Sequence, residues 1–276
     1  MRVWFITGAS RGFGALIAAE ALAAGDAVVA TARDPKSVAE RFGDHPRLLP
    51  VALDVADEAQ AHAAVDAALK RFGRIDVLVN NAGYGLLAAI EEASATEVER
   101  LFRTNVFGLL NVTRAVLPHM RRQRSGRIIN MSSVGGYASY YGWGVYGATK
   151  FAVEGLTEAM ALELAPLGIH ATAVEPGFFR TDFLDARSLA TAQPIADYAD
   201  TVGAMRDHAA RINHNQPGDP AKLAKAMIAL VEAENPPVRL PLGSDTLERV
   251  QAKNRSVEAI IAQWGDLARS TDSVAA

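Results

Sequence analysis

A doubly wound α/β fold, with a parallel sheet held between two layers of helices, is what this chain predicts. Three observations carry that expectation. Apolar runs of strand length alternate with helix-length apolar stripes from the first residues onward, the order that builds a parallel sheet by right-handed crossovers. The first run, Val3 to Thr7, is apolar almost throughout and ends at Gly8, the pattern of a strand buried on both faces. A glycine-rich turn, Gly8 to Gly14, then joins that strand to the first helix.

The elements support this order one by one. A helix is expected from about Phe13 to Ala24, closed by Gly25. Ala27 to Thr31 and Leu48 to Leu53 are the second and third strands. Asp57, with Gln60 three residues later, reads as an N-cap, and its helix sets Ala61, Val65, Ala68, Leu69 and Phe72 on one stripe. Ile75 to Asn80 is the fourth strand. Ser94 and Glu97 form a capping box that opens a long helix over roughly 95–117, expected to stop at Pro118. Arg127 to Met131 is the fifth strand, a helix opens near Tyr146 and runs to Pro166, and Ile169 to Glu175 is the sixth strand. Segment 183–215 reads as a helical cover, with Ile195, Tyr198, Val202, Ala209 and Ile212 as its apolar side. A helix at about 221–233, a last strand around Leu240, a final helix to about Trp264 and a loose tail at about 270–276 complete the chain. No repeat or linker interrupts it, so one domain over 1–276 is expected.

Composition narrows the function. Half of the 276 residues are apolar, enough for a substantial core, and a net charge of −3 leaves no electrostatic footprint for nucleic acid. The absence of cysteine excludes a disulfide framework, a thiolate metal site and a cysteine nucleophile. The histidines show no ligand spacing, so no metal is expected. No apolar run approaches the ~20 residues that span a bilayer, and Arg2 to Gly8 is too short for a signal peptide. A cytoplasmic protein without a membrane partner is therefore expected. Arg121, Arg122, Arg124 and Arg127 are either a phosphate patch or a solvated basic helix end that complements the dipole.

Two stretches carry chemistry. Tyr146 and Lys150 are four residues apart, on one face of their helix, and Ser133 sits just past a strand end, where active-site side chains of open α/β sheets collect. A phenol near pKa ~10 is a poor acid or base at neutral pH. A nearby lysine cation favours tyrosinate, and a serine hydroxyl can bond a substrate oxygen, which together suit carbonyl–alcohol interconversion. A tyrosine and a lysine at this spacing also occur on solvated helices. At the other stretch, Gly8-x-x-x-Gly12-x-Gly14 lets backbone approach a pyrophosphate resting on a helix N-terminus, although glycine there can serve turn geometry alone.

Thr7 to Gly14, Asn80 to Gly83, Asn105, Ser133, Tyr146-x-x-x-Lys150, Pro176-Gly177 and Thr181 occur in an order and spacing that resemble the short-chain dehydrogenase/reductase family, in detail over about residues 3–181. The resemblance implies a Rossmann-type fold, NAD(P)(H)-dependent oxidoreduction of alcohols and carbonyls, and assembly as a homodimer or homotetramer. It implies that Tyr146 exchanges the proton, Lys150 lowers its pKa and holds the nicotinamide ribose, and Ser133 polarises the carbonyl. Asn105 would hold a relay water; an asparagine bonded to neighbouring backbone is the alternative. Cofactor contacts are implied for Gly8, Ser10, Arg11, Gly12, Phe13 and Gly14, for Asp54 and Val55 at the adenine, and for Asn81, Ala82 and Gly83 at the adenosine ribose. Pro176, Gly177, Phe179 and Thr181 would meet the nicotinamide.

NADP(H) is expected over NAD(H), because the second strand ends in Arg33 where an NAD-selective site places an acid, and Arg11 offers a second cation. Asp34 either caps the next helix or contacts a ribose, which keeps NAD(H) as the alternative. Tyr141, Trp143, Phe178 and Phe183 either line a roomy pocket for an apolar or cyclic carbonyl or belong to ordinary packing. Two rivals remain: an NADP(H)-binding sensor without turnover, which has no need of Ser133, Tyr146, Lys150 and Asn105 together, and sugar-nucleotide epimerase chemistry, whose usual glycine spacing and longer C-terminal domain are missing.

Overall fold

The computed structural model describes residues 1–273. Its first half runs β1 (Val3–Ile6), α1 (Gly12–Ala23), β2 (Ala27–Ala32), α2 (Lys36–Phe42), β3 (Leu48–Ala52), α3 (Glu58–Phe72), β4 (Val77–Asn80), β5 (Gly85–Leu87), α4 (Ala95–Phe102) and α5 (Gly108–Gln123). The second half runs β6 (Gly126–Met131), α6 (Gly144–Leu164), β7 (Ile169–Pro176), β8 (Leu189–Thr191), α7 (Ala204–Ile212), α8 (Pro220–Glu232), β9 (Arg239–Leu242) and α9 (Ser244–Arg269). Seven strands form one parallel sheet in the order β3-β2-β1-β4-β6-β7-β9. Strand order reverses between β1 and β4, which opens a crevice at the carboxyl ends of the strands.

Both faces of the sheet are covered, and the alternation of side chains along each strand divides the core. Trp4 and Ile6 face α1 and α8, where they meet Ile17, Ala18, Leu223 and Met227. Val3 and Phe5 face the other layer, with Val65 and Ala68 of α3, Val112 and Val116 of α5 and Met160 of α6. A strand buried on both sides needs apolar residues at every position, which is why β1 reads as an unbroken run.

Several elements differ from expectation. The helix expected over 95–117 is two α-helices joined by a π-helical turn, Arg103–Phe107. It does not stop at Pro118 either. That residue removes only the bond to the carbonyl four residues back, while Met120 is fully buried and the Gln123 side chain bonds both backbone groups of Ile75, holding the far end of α5 in place. β5 and β8 form a small parallel pair that the sequence did not announce. The expected helical cover over 183–215 is broken into a strand, short turns and α7, with Val202 and Ala209 buried. The last helix continues past Trp264 to Arg269, and part of the tail expected at about 270–276 lies outside the described residues. Among the described residues no helix is long and apolar enough to cross a membrane.

Candidate active site

The crevice is floored by backbone at its nucleotide end. Gly8 and Gly12 have φ of +65° and +55°, a region that favours glycine. A Cβ on Gly14 would strike the Gly8 carbonyl and lie 2.6 Å from Asn81 Nδ2. α1 starts at Gly12 with no side-chain cap and no acid in its first turn, so its N–H groups are left for an anion. Asn81 braces the turn from β4: its Nδ2 donates to the Thr7 carbonyl at 2.9 Å and the Gly8 carbonyl at 3.1 Å. Thr7 Oγ1 accepts from the backbone of Asn81 and Ala82, both at 2.9 Å. Thr7 is thus a brace that motif reading overlooked, although it stands at the head of the glycine run. The cradle fits a dinucleotide pyrophosphate: it offers free donors and lacks any side chain that would fill it.

The flanking residues are less uniform. Arg33 is exposed beyond the end of β2. Asp34 is turned into its own loop, accepting from Lys36 N at 3.0 Å while its carbonyl accepts from Ser37 Oγ at 2.6 Å. Arg11 does not stand free as a second cation; its Nη2 donates to the Arg187 carbonyl at 3.1 Å and Ser188 Oγ at 2.9 Å, tying the glycine turn to the 183–215 segment. The Asp54 carboxylate accepts from Ala56 N at 3.0 Å, and Val55 is buried against Gly108. Ser10 is half-buried in the turn. Phe13 meets Phe179 edge to face at 5.6 Å between ring centroids, which joins the cradle to the loop after β7. In that loop Asp245 of α9 bonds Phe178 N at 2.8 Å and occupies the space beside Gly177, next to buried Pro176. Thr181 caps the following turn by accepting from Phe183 N at 3.3 Å.

Side chains build the other end. α6 presents Tyr146 and Lys150 on one buried face, each 7% exposed. Ser133 follows β6, with its Oγ accepting from Gly135 N at 3.1 Å, and its hydroxyl lies beside the Tyr146 phenol and favours its ionised form. Lys150 Nζ donates to the Met131 carbonyl at 2.8 Å and lies 5.6 Å from the centre of the Tyr146 ring. Burial pushes the phenol up, and the neighbouring Ser133 hydroxyl pulls the other way. The expected lowering by Lys150 is therefore not the dominant influence here, because the ammonium is anchored on Met131 and desolvation is larger. Burial likewise pulls Lys150 down to about 8, with the Glu154 charge opposing it.

Asn105 lies in the π-helical turn, 2% exposed. Its Oδ1 accepts from Tyr84 N at 3.1 Å, and its Nδ2 donates to the Tyr84 carbonyl at 3.0 Å and Thr149 Oγ1 at 3.2 Å. Thr149 Oγ1 in turn donates to the Tyr146 carbonyl at 2.7 Å. Gly83 leaves a gap beside this network: a Cβ there would be 3.1 Å from Asn105 Oδ1 and 3.8 Å from Lys150 Nζ. Thr149 was hidden inside the Tyr146-x-x-x-Lys150 spacing, where only the ends attract attention. Trp143 and Phe183 pack around Tyr146, with centroids 5.5 and 5.7 Å from its ring, while Phe178 sits with Tyr140 and His208. Tyr141 does not line this cluster; it is 67% exposed. The arginines from the end of α5 to the start of β6 lie at the opposite end of the strands, where Arg124 and Arg127 bond the carbonyls of Pro166 and Ala233.

Residues 2–191 match the short chain dehydrogenase family. The chain belongs to that family and is an oxidoreductase of its kind. It is 38% identical over 269 residues to the oxidoreductase BOA17 of Botryotinia fuckeliana, covering 96% of this chain and 97% of the relative. It is 40% identical over 245 residues to a 3-ketodihydrosphingosine reductase of Bacteroides thetaiotaomicron, covering 88% of each. A short-chain dehydrogenase structure from Streptomyces avermitilis superposes with a TM-score of 0.90 at 40% identity, covering 99% of this chain and 100% of that one. Two further solved relatives were obtained with cofactor. One from Burkholderia phymatum holds NAD (27% identity, TM-score 0.82, 94% of each chain), and ElxO holds NADP (30%, 0.74, 90% of this chain and 99% of that one).

Proposed function

We propose that this protein interconverts a ketone or aldehyde and an alcohol with NADP(H), Tyr146 acting as general acid and base. The observation that carries the reading is the convergence of the buried Tyr146 phenol, the Ser133 hydroxyl beside it and Lys150 one turn along α6, at the same end of the sheet as the braced glycine cradle. Gly8, Gly12 and Gly14 with the α1 N–H groups would hold the pyrophosphate, and Pro176 to Thr181 the nicotinamide end. Bound there, the nicotinamide supplies or accepts the hydride. Tyr146 gives its proton to the substrate oxygen in reduction while Ser133 donates a hydrogen bond to that oxygen as charge develops on it. The Lys150 ammonium stabilises the tyrosinate left behind. Asn105 and Lys150 both border the gap at Gly83, where a relay water would return the proton. Arg33 supports NADP(H), since Asp34, the acid that would favour a free ribose hydroxyl, is spent on its own turn.

A bulky apolar carbonyl suits the Trp143–Phe183 wall beside Tyr146, and the Bacteroides relative is named as a 3-ketodihydrosphingosine reductase. The test is oxidation of NADPH and of NADH over aliphatic, aromatic and steroid-like carbonyls, with Tyr146→Phe alongside. Turnover with NADPH that falls about 10²–10⁴-fold in the variant is expected. Activity that survives in Tyr146→Phe would remove the proposed proton donor, and tight NADPH binding with no turnover would shift the reading to a sensor.

A further inference from the structure

Behind the catalytic face of α6 lies a second buried polar cluster that the mechanism above leaves unused. Glu154 continues the line of Tyr146 and Lys150 by one more turn and is 2% exposed. Glu175, near the end of β7, is 1% exposed and faces it. Ser132 joins them from the end of β6. From β9, Arg239 Nε lies 3.3 Å from Glu154 Oε2, and its Nη2 reaches Glu158 Oε1 at 2.9 Å. Lys253 and Glu258 of α9 border the same region, across a cavity of about 520 Å³ that Glu154, Glu158 and Arg239 also line.

Donors and acceptors in the cluster are mismatched. Both Glu154 oxygens, Glu175 Oε1, Ser132 Oγ and Arg239 Nε lack a well-formed hydrogen bond. Two carboxylates this deeply buried repel each other and are poorly solvated, so one proton shared between them is the donor that both need. In keeping with this, burial and the Glu154 charge push Glu175 up to about 7, and burial raises Glu154 against the opposing influence of Ser132 and Arg239. The cluster is also packed directly onto the Lys150 turn: a Cβ on Gly136 would lie 2.7 Å from Ser132 Oγ and 2.9 Å from the Lys150 carbonyl carbon.

We propose that Glu154 and Glu175 form a proton-sharing carboxyl couple whose remaining negative charge keeps Lys150 cationic, so that Glu154 is a positioning residue for the Tyr146–Lys150 pair. The proposal rests on the function assigned to that pair. With one proton on the couple, a single charge stays one helical turn from Lys150 and offsets the desolvation of its ammonium. The cavity between α6 and α9 borders the Glu154 side of the couple, apart from the substrate crevice.

The experiment is the pH profile of kcat/KM for Glu154→Gln and Glu175→Gln, with Glu154→Asp as the conservative control. Activity that needs the Lys150 cation falls as pH rises through its pKa. In Glu154→Gln the charge beside Lys150 is gone, and the alkaline limb should move to lower pH by about one unit or more. In Glu175→Gln the amide donates to Glu154, whose charge stays one turn from Lys150, and the limb should move down by clearly less than in Glu154→Gln. Glu154→Asp should restore the wild-type limb at least in part. A merely structural role lowers both variants' activity without moving the limb, and that result overturns the proposal, as does a shift in Glu175→Gln as large as that in Glu154→Gln. Should Glu175→Gln fail to fold, the limb of Glu154→Gln alone still decides, and should Glu154→Gln fail, a full-unit shift in Glu175→Gln overturns the proposal. An unmoved limb alongside an inactive Tyr146→Phe sinks the couple alone, whereas an active Tyr146→Phe sinks the reading beneath it.

Discussion

The glycine turn and the Tyr146 cluster share one edge of the sheet and are built in opposite ways. The turn is made of backbone and of missing side chains: positive φ at Gly8 and Gly12, no space for a Cβ at Gly14, and a brace of neutral groups from Thr7 and Asn81. None of these residues titrates. The cluster is made of side chains whose protonation is set by burial, with the Tyr146 phenol pushed up and Lys150 pulled down to about 8. One region works by geometry, the other by charge, so substitutions should separate them by pH dependence as well as by size.

After Tyr146→Phe, the largest effect is expected at Ser133. Ser133→Ala removes the hydroxyl beside the phenol and a donor for the substrate oxygen, and kcat should fall about 10²–10³-fold. Its pH profile should change as well, because the influence that opposes the upward push on Tyr146 is lost; an unchanged profile would break the contrast on the charge side. Arg33→Ala comes next. Loss of a charged hydrogen bond to a 2′-phosphate should weaken NADPH binding by about 1.5–3 kcal/mol and leave NADH untouched. Equal losses for both cofactors in fluorescence titrations would remove Arg33 from the selectivity account. The smallest effects are in ligand-free stability. Gly14→Ala must displace the Gly8 carbonyl and the Asn81 amide, an overpacking that costs about 1–3 kcal/mol. Gly12→Ala meets nothing within 4 Å and carries only the left-handed backbone penalty of about 1–2 kcal/mol. Denaturant melts of the two at pH 6 and pH 9 should show pH-independent losses relative to wild type.

How far the sequence could be read follows the same division. The strands were legible because a sheet covered on both sides demands apolar residues at every position, as in Val3 to Ile6. The glycine cradle and the Tyr146–Lys150 spacing were legible because each is a local rule of helix and turn geometry. Neighbours with the same chemistry were not separable: Trp143 is 5% exposed against Tyr146, and Tyr141, two residues earlier, is 67% exposed. Arg11 looked like a phosphate ligand until its contacts with Arg187 and Ser188 were in place. Pro118 looked like a helix stop, but its single missing bond is outweighed by the burial of Met120 and the anchoring of Gln123.

By itself the sequence determined the doubly wound order of the sheet, the turn that suits a pyrophosphate, and the presence of Ser133, Tyr146 and Lys150 at the ends of the right elements. Those features depend on periodicity and spacing within a few residues. Only the tertiary structure decided that Glu154 and Glu175 meet behind Lys150, that β5 pairs with β8, and that the phenol is pushed up rather than down. Such properties arise from desolvation and from partners distant along the chain, and a group's charge depends on everything that folds around it.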